Sequence, residues 1–172
     1  MRVAKFVSGC AVALGLALSM AVAHAETLVG HVIHVSDGDT VTVLMEGRSK
    51  IRVRLAGIDA PESKQDFGRR SRQLLTRLVK GRDVRAIVVD RDKYGRYVAR
   101  LETEDGDAGE KMLEAGLARV FVRYVQSLPR DYRVAYLHAE GLARSEGRGL
   151  WSDPKQIPPW EWREINRRNS GW

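Results

Sequence analysis

Cysteine is almost missing from this chain: 172 residues contain one, Cys10, and it sits in a leading apolar run. Beyond that run neither a disulfide nor a thiolate zinc site is available, so burial of apolar surface must hold the fold. Internal repeats and low-complexity blocks are absent too, which favours a single domain. His31 and His34 stand three apart, a spacing that sends them to opposite faces of a strand and away from a shared ion. His138 reads as a surface or partly packed helix position. Acidic residues are in deficit, 22 against 29 Lys and Arg, for a net charge of +7. That balance suits a polyanionic partner, either a nucleic acid or a membrane surface.

What is present begins with "MRVAK" and an apolar run from Phe6 to Ala23. The run is interrupted by Ser8, Gly9 and Gly15 and ends in Ala23-His24-Ala25, the pattern of a cleaved secretory signal rather than a membrane anchor. "VSGC" invites a lipid on Cys10, but most of the apolar segment follows that cysteine. The expectation is a signal over residues 1–25 and a mature chain from near Glu26, exported to a periplasm or secreted. Removing Arg2 and Lys5 leaves 27 basic residues against 22 acidic, a net charge of +5.

Residues 28–55 predict three strands, "LVGHVIHV", "TVTVLM" and "KIRVRL", with turns at Asp37-Gly38 and Glu46-Gly47. In the third, Ile51, Val53 and Leu55 alternate with Arg52 and Arg54, so the arginines share the face opposite the core. Ser71, Leu74, Leu75 and Leu78 have helical spacing, with Gly81 as a stop. "VRAIVV" and "YVARLE" are strand-like around the turn "DKYGR", "AGEKMLEAG" predicts a short helix, and "LARVFV" returns to extended structure. Tyr132, Tyr136, Ala139 and Ala143 mark a last helix over 130–146. The tail, residues 153–172, is rich in proline and tryptophan, and part of it is expected to dock. These elements predict an α+β domain over residues 26–152, with enough strands for a small Greek-key barrel.

Three motifs carry the chemistry. In "SDGDTV" Asp37 is as well explained by the turn as by function, whereas Asp39 points into a barrel mouth, where a carboxylate needs a partner or a cation. In "RVRLAGIDAPESK" Asp59 and Glu62 follow Arg54, with Pro61 stiffening the loop. Their oxygens suit Ca²⁺ or Mg²⁺. An ion pair between Arg54 and Asp59 explains the spacing equally well. The run Arg69, Arg70, Arg72 and Arg77 reads as a solvated helix face as readily as a phosphate track.

Taken together, "DGDT", "RLAGIDAPE" and "DKYGR" resemble the thermonucleases, the staphylococcal nuclease family, over roughly Leu28 to Trp151. The resemblance implies a five-stranded oligonucleotide-binding-type barrel with about three helices, acting as a Ca²⁺-dependent nuclease on DNA or RNA and leaving 3′-phosphate ends. It implies Asp39, Asp59 and the carbonyl of Ala60 as calcium ligands, Ala60 standing where the staphylococcal enzyme has threonine. Glu62 corresponds to the carboxylate that orients or deprotonates the attacking water, and Arg54 and Arg96 to the phosphate-clamping arginines. Lys93, Tyr94 and Tyr124 would sit beside the substrate. Val122 replaces one tyrosine of the nucleotide pocket, with Phe121 beside it, and the loop after Glu62 is shorter than in the staphylococcal enzyme. A monomer without stable membrane insertion is expected. The rival is a catalytically silent nucleic-acid-binding module on the same barrel.

Overall fold

The computed structural model describes residues 26–169. The leading run with its cleavage pattern, and Trp172, lie outside them. Five strands form the barrel: β1 (Thr27–Val35), β2 (Thr40–Met45), β3 (Lys50–Leu55), β5 (Asp83–Arg91) and β6 (Tyr97–Thr103). A two-residue strand, β4 (Ile58–Asp59), lies between β3 and β5 in sequence. The spatial order is β3-β2-β1-β5-β6, antiparallel throughout, and β6 then returns to β3 in parallel, which removes the open edges. The closing register sets Arg54 opposite Val98 and Val53 opposite Tyr97. It therefore draws the turn before β6 towards the arginine strand.

Apolar side chains from all five strands fill the interior. Val32, Val41, Val43, Val53, Leu55, Ala86, Ala99 and Leu101 are buried, and each Val or Leu contributes about 1.5–3 kcal/mol by leaving water. Arg52 faces solvent, and Arg54 is only part-buried. This is the split that the alternation in β3 predicts.

Helix α1 (Gly68–Val79) packs Leu75 and Val79 into the core and keeps Arg69, Arg70, Arg72 and Arg77 on its exposed face. Its Ser71 hydroxyl donates to the carbonyl of Leu117 at 2.7 Å. Gly38 lies so close that a Cβ would come within 2.0 Å of that hydroxyl and 2.7 Å of Ala60 Cβ. Glycine is thus what lets the Asp37–Asp39 turn press against α1 and the Ala60 segment.

The remaining strands and α-helices are β7 (Gly106–Asp107), α2 (Ala108–Glu114), β8 (Arg119–Val120), α3 (Val122–Val125), α4 (Arg130–Ser145) and α5 (Pro159–Asn169). Extended structure stops at Val120. Contrary to the strand expected for "LARVFV", Val122–Val125 turns into a short helix. α4 buries Tyr136, Ala139 and Ala143 and leaves His138 exposed. The Tyr136 hydroxyl donates to Asp107 at 2.8 Å, and Asp107 also accepts from the Glu110 N–H and from Arg100 Nε at 3.2 Å. Among the described residues, no helix is long and apolar enough to cross a membrane.

Candidate active site

The three sequence motifs meet at one open cavity of about 650 Å³. Asp37, Asp39, Arg54, Ala60, Glu62 and Arg96 border it, with Lys93, Tyr94 and Tyr124 completing the predicted residues on its wall. Asp59 is the exception. It is fully buried beneath the arginines and does not reach the cavity.

Asp39 is held from several directions just before β2. Its Oδ1 accepts from the Thr40 hydroxyl at 2.9 Å, its Oδ2 accepts from the Ala60 N–H at 3.1 Å, and its own carbonyl accepts from the Leu55 N–H. Asp59 is carried by β4, which pairs with β8 so that Asp59 lies opposite Arg119. Arg54 Nη2 donates to Asp59 Oδ1 at 2.8 Å and lies 3.4 Å from Asp39 Oδ2, while its Nη1 donates to the carbonyl of Ile58. The Arg54–Asp59 ion pair is therefore formed.

Glu62 follows Pro61 in a tight loop. Its N–H donates to the Gln65 side chain, and its carbonyl accepts from the Gln65 N–H. A Cβ on Gly68 would come within 1.9 Å of the Glu62 carbonyl oxygen, so a glycine starting α1 is what lets the short loop fold back.

On the opposite wall, the turn of "DKYGR" is organised by Asp92. Its Oδ1 accepts from the N–H groups of Tyr94 and Arg96, and its Oδ2 accepts from Arg96 Nε at 2.6 Å. Arg96 Nη1 reaches the Thr40 hydroxyl at 3.4 Å, and Tyr94 is 69% exposed. Tyr124 packs at 4.9 Å against Phe121, which also borders the cavity and stacks on Trp160 at 5.5 Å with 10° between the planes. Val122 is exposed. Phe121 thus takes the inward place next to Tyr124, while Val122 turns outward at the start of α3.

Electrostatics follow from burial. Desolvation and the neighbouring Asp39 charge push Asp37 up to about 6. Burial likewise raises Asp59, against the opposing pull of hydrogen bonds from Arg163. For Asp92 burial acts upward, but the hydrogen bonds from Arg96 and Tyr94 leave its carboxyl below the usual range.

Sequence reasoning did not find Arg163. From α5, its Nη2 donates to Asp59 Oδ2 at 2.7 Å, and its Nη1 donates to Asp59 Oδ1 at 3.2 Å and to Glu62 Oε1 at 2.7 Å. The aromatic and proline content of the tail announced docking, but nothing near Arg163 in sequence pointed to the carboxylates. Asp92 was likewise missed, although its place three residues before Gly95 is an Asx-turn signal.

Among the described residues, no group of three or more His, Cys, Asp or Glu side chains is arranged to hold a metal ion. The donor chemistry nonetheless fits a hard divalent cation. Carboxylate oxygens of Asp39 and Asp59 converge on one positively charged nitrogen, Arg54 Nη2, and such hard oxygens suit Ca²⁺ or Mg²⁺.

Comparison with known proteins identifies the family. Residues 52–153 match the family described as staphylococcal nuclease homologue. The chain is 42% identical over 135 residues to an uncharacterized endonuclease of Escherichia coli O157:H7, covering 78% of this chain and 84% of that protein. It is 36% identical over 138 residues to an uncharacterized endonuclease of Haemophilus influenzae, covering 80% and 74%. With the micrococcal nuclease of Shigella flexneri it shares 37% identity over 147 residues, 80% of this chain and 82% of that protein. A closed five-stranded barrel, the clustered motifs and these matches place the chain in the staphylococcal nuclease homologue family, as a hydrolase of the nuclease type.

Proposed function

We propose that the protein is an exported, monomeric, Ca²⁺-dependent nuclease that hydrolyses phosphodiester bonds of DNA, RNA or both and leaves 3′-phosphate ends. Export rests on the signal pattern of residues 1–25. The observation that carries the catalytic reading is the meeting of Asp39, Arg54, Glu62 and Arg96, from three separate motifs, around one cavity with Asp59 directly beneath. A silent binding module needs the arginines but not this concentration of acids.

Arg54 and Arg96 offer planar forks to the non-bridging oxygens of the phosphate, where negative charge builds during attack. Asp92 fixes the Arg96 fork before substrate arrives. Glu62 accepts the proton from the attacking water. The water oxygen bonds to phosphorus, the bond from phosphorus to the 5′ oxygen breaks, and that oxygen takes up a proton from solvent, to which Glu62 returns the one it accepted, leaving a 3′-phosphate and a 5′-hydroxyl. Asp39, Asp59 and the Ala60 carbonyl would hold Ca²⁺, which when bound supplies further charge stabilisation at the phosphate. Lys93, Tyr94 and Tyr124 line the substrate path, with Tyr124 and Phe121 offering ring faces to a base.

The test is incubation of the purified protein with single-stranded DNA and RNA in Ca²⁺, in Mg²⁺ and in chelator, with end-group analysis of the products. Cleavage in Ca²⁺, little in Mg²⁺ and none in chelator, with 3′-phosphate ends, is expected. Tight oligonucleotide binding without cleavage in Ca²⁺ would return the silent module.

A further inference from the structure

Helix α5 begins after residue 153, where the family match ends, yet it delivers a charge to the centre of the site. Arg163 takes both oxygens of Asp59 and one of Glu62 at 2.7–3.2 Å. With Arg54 also on Asp59 Oδ1, both carboxylate oxygens of Asp59 carry a guanidinium. The same guanidinium covers Asp59 from the cavity, because Arg163 borders that cavity and Asp59 does not.

The helix is seated by contacts that do not involve Arg163. Trp160 stacks on Phe121, Gln65 donates to the carbonyl of Ile157 at 2.8 Å, and Arg119 donates to the carbonyl of Gln156 at 3.0 Å. Pro159, buried at the first helical position, is a residue preset for that role. The seat thus holds Arg163 over the carboxylates, while the arginine itself is 40% exposed and has room to swing out.

The geometry points to Arg163 as a built-in counter-cation: seating of Arg163 on Asp59 and Glu62, and binding of a divalent cation at Asp59, exclude one another. This rests on the proposed assignment of Asp59 as a cation ligand. An ion bound to an Asp59 oxygen at about 2.3–2.6 Å would meet a guanidinium on the same carboxylate, and like charges at that range repel. Cation affinity is therefore lowered by the fraction of time that Arg163 is seated. A site open about one-tenth of the time binds about tenfold more weakly than its intrinsic affinity.

Titration of the purified protein with CaCl₂ by calorimetry, beside Arg163→Gln, Arg163→Lys, Arg167→Gln and Asp39→Ala, tests this. Arg163→Gln is expected to lower the Kd about tenfold. Arg163→Lys, which keeps the charge but loses the fork, should fall between it and wild type, and it also serves if the glutamine variant folds poorly. Arg167→Gln removes an exposed charge from the same helix and should leave the Kd unchanged, separating competition from net charge. Ca²⁺ binding that Asp39→Ala abolishes but that is unchanged or weakened in Arg163→Gln would overturn the competition and leave the nuclease reading standing. No Ca²⁺ binding by any variant would instead overturn the cation reading on which the competition rests.

Discussion

Arg100 with Asp107 and Tyr136, and Arg54 with Asp39 and Asp59, are two clusters in which an arginine meets buried acids, and they are finished in different ways. In the first, Asp107 accepts three hydrogen bonds from groups packed around it in the interior, Arg100 is also paired with Glu102, and the Tyr132 ring covers its guanidinium at 3.1 Å. In the second, Arg54 meets Asp39 and Asp59, Asp37 and Glu62 border the same cavity, and the additional positive group, Arg163, is brought from a helix 104 residues beyond Asp59. Buried charge persists only when paired. A cluster completed by its neighbours is structural, whereas one that borders a cavity and borrows a cation can exchange that cation for a ligand.

The sharpest break between the two clusters comes from Glu62→Gln. The amide keeps the shape but cannot take the water's proton, so turnover should fall by about 10²–10⁴-fold, with the melting temperature nearly unchanged. Parallel loss of rate and stability would erase the distinction. Asp107→Ala should do the reverse. Leaving Arg100 Nε and the Tyr136 hydroxyl without their acceptor costs about 1–3 kcal/mol each in urea unfolding, Glu102 still pairing with Arg100, while the fraction that folds keeps its rate.

Arg54→Lys and Arg96→Lys keep charge but lose the fork, and each should lower turnover by about 10²-fold, read from cleavage rates beside circular dichroism. Tyr136→Phe removes one hydrogen bond and should cost about 1 kcal/mol. Burial and the Asp107 charge raise the Tyr136 pKa above its ordinary value. The folded state therefore keeps that proton, and its contribution is full below the unfolded value of about 10 and lost as pH rises through the folded one. Alkaline unfolding should be less steep in Tyr136→Phe.

What could be read from sequence was local. Alternation in β3 separated Val53 and Leu55 from Arg52 and Arg54, and helical spacing in α4 marked Tyr136, Ala139 and Ala143, because each signal lies within one element. The motif residues were legible through the family resemblance, and the structure brings all of them but the buried Asp59 to one cavity. Less accessible were features made by distant pairing: the parallel closure of β3 on β6, the bond from Tyr136 to Asp107 and the reach of Arg163. The helix at Pro159 was hidden by its own proline, a residue that breaks a helix interior yet suits the first turn. Phe121 ended the expected strand because its backbone leaves the extended region, and α3 begins at once.

Asp39, Arg54, Asp59, Glu62 and Arg96 are proposed to act as one Ca²⁺-dependent phosphodiesterase site. Its most direct test is the cleavage rate of single-stranded DNA by wild type and by Asp39→Ala at saturating Ca²⁺ and in chelator, each sample checked for native circular dichroism. Rapid cleavage by wild type in Ca²⁺ and near-background cleavage in the other three samples are expected. A folded Asp39→Ala protein that cuts at the wild-type rate, or wild-type cleavage that persists in chelator, would contradict that proposal.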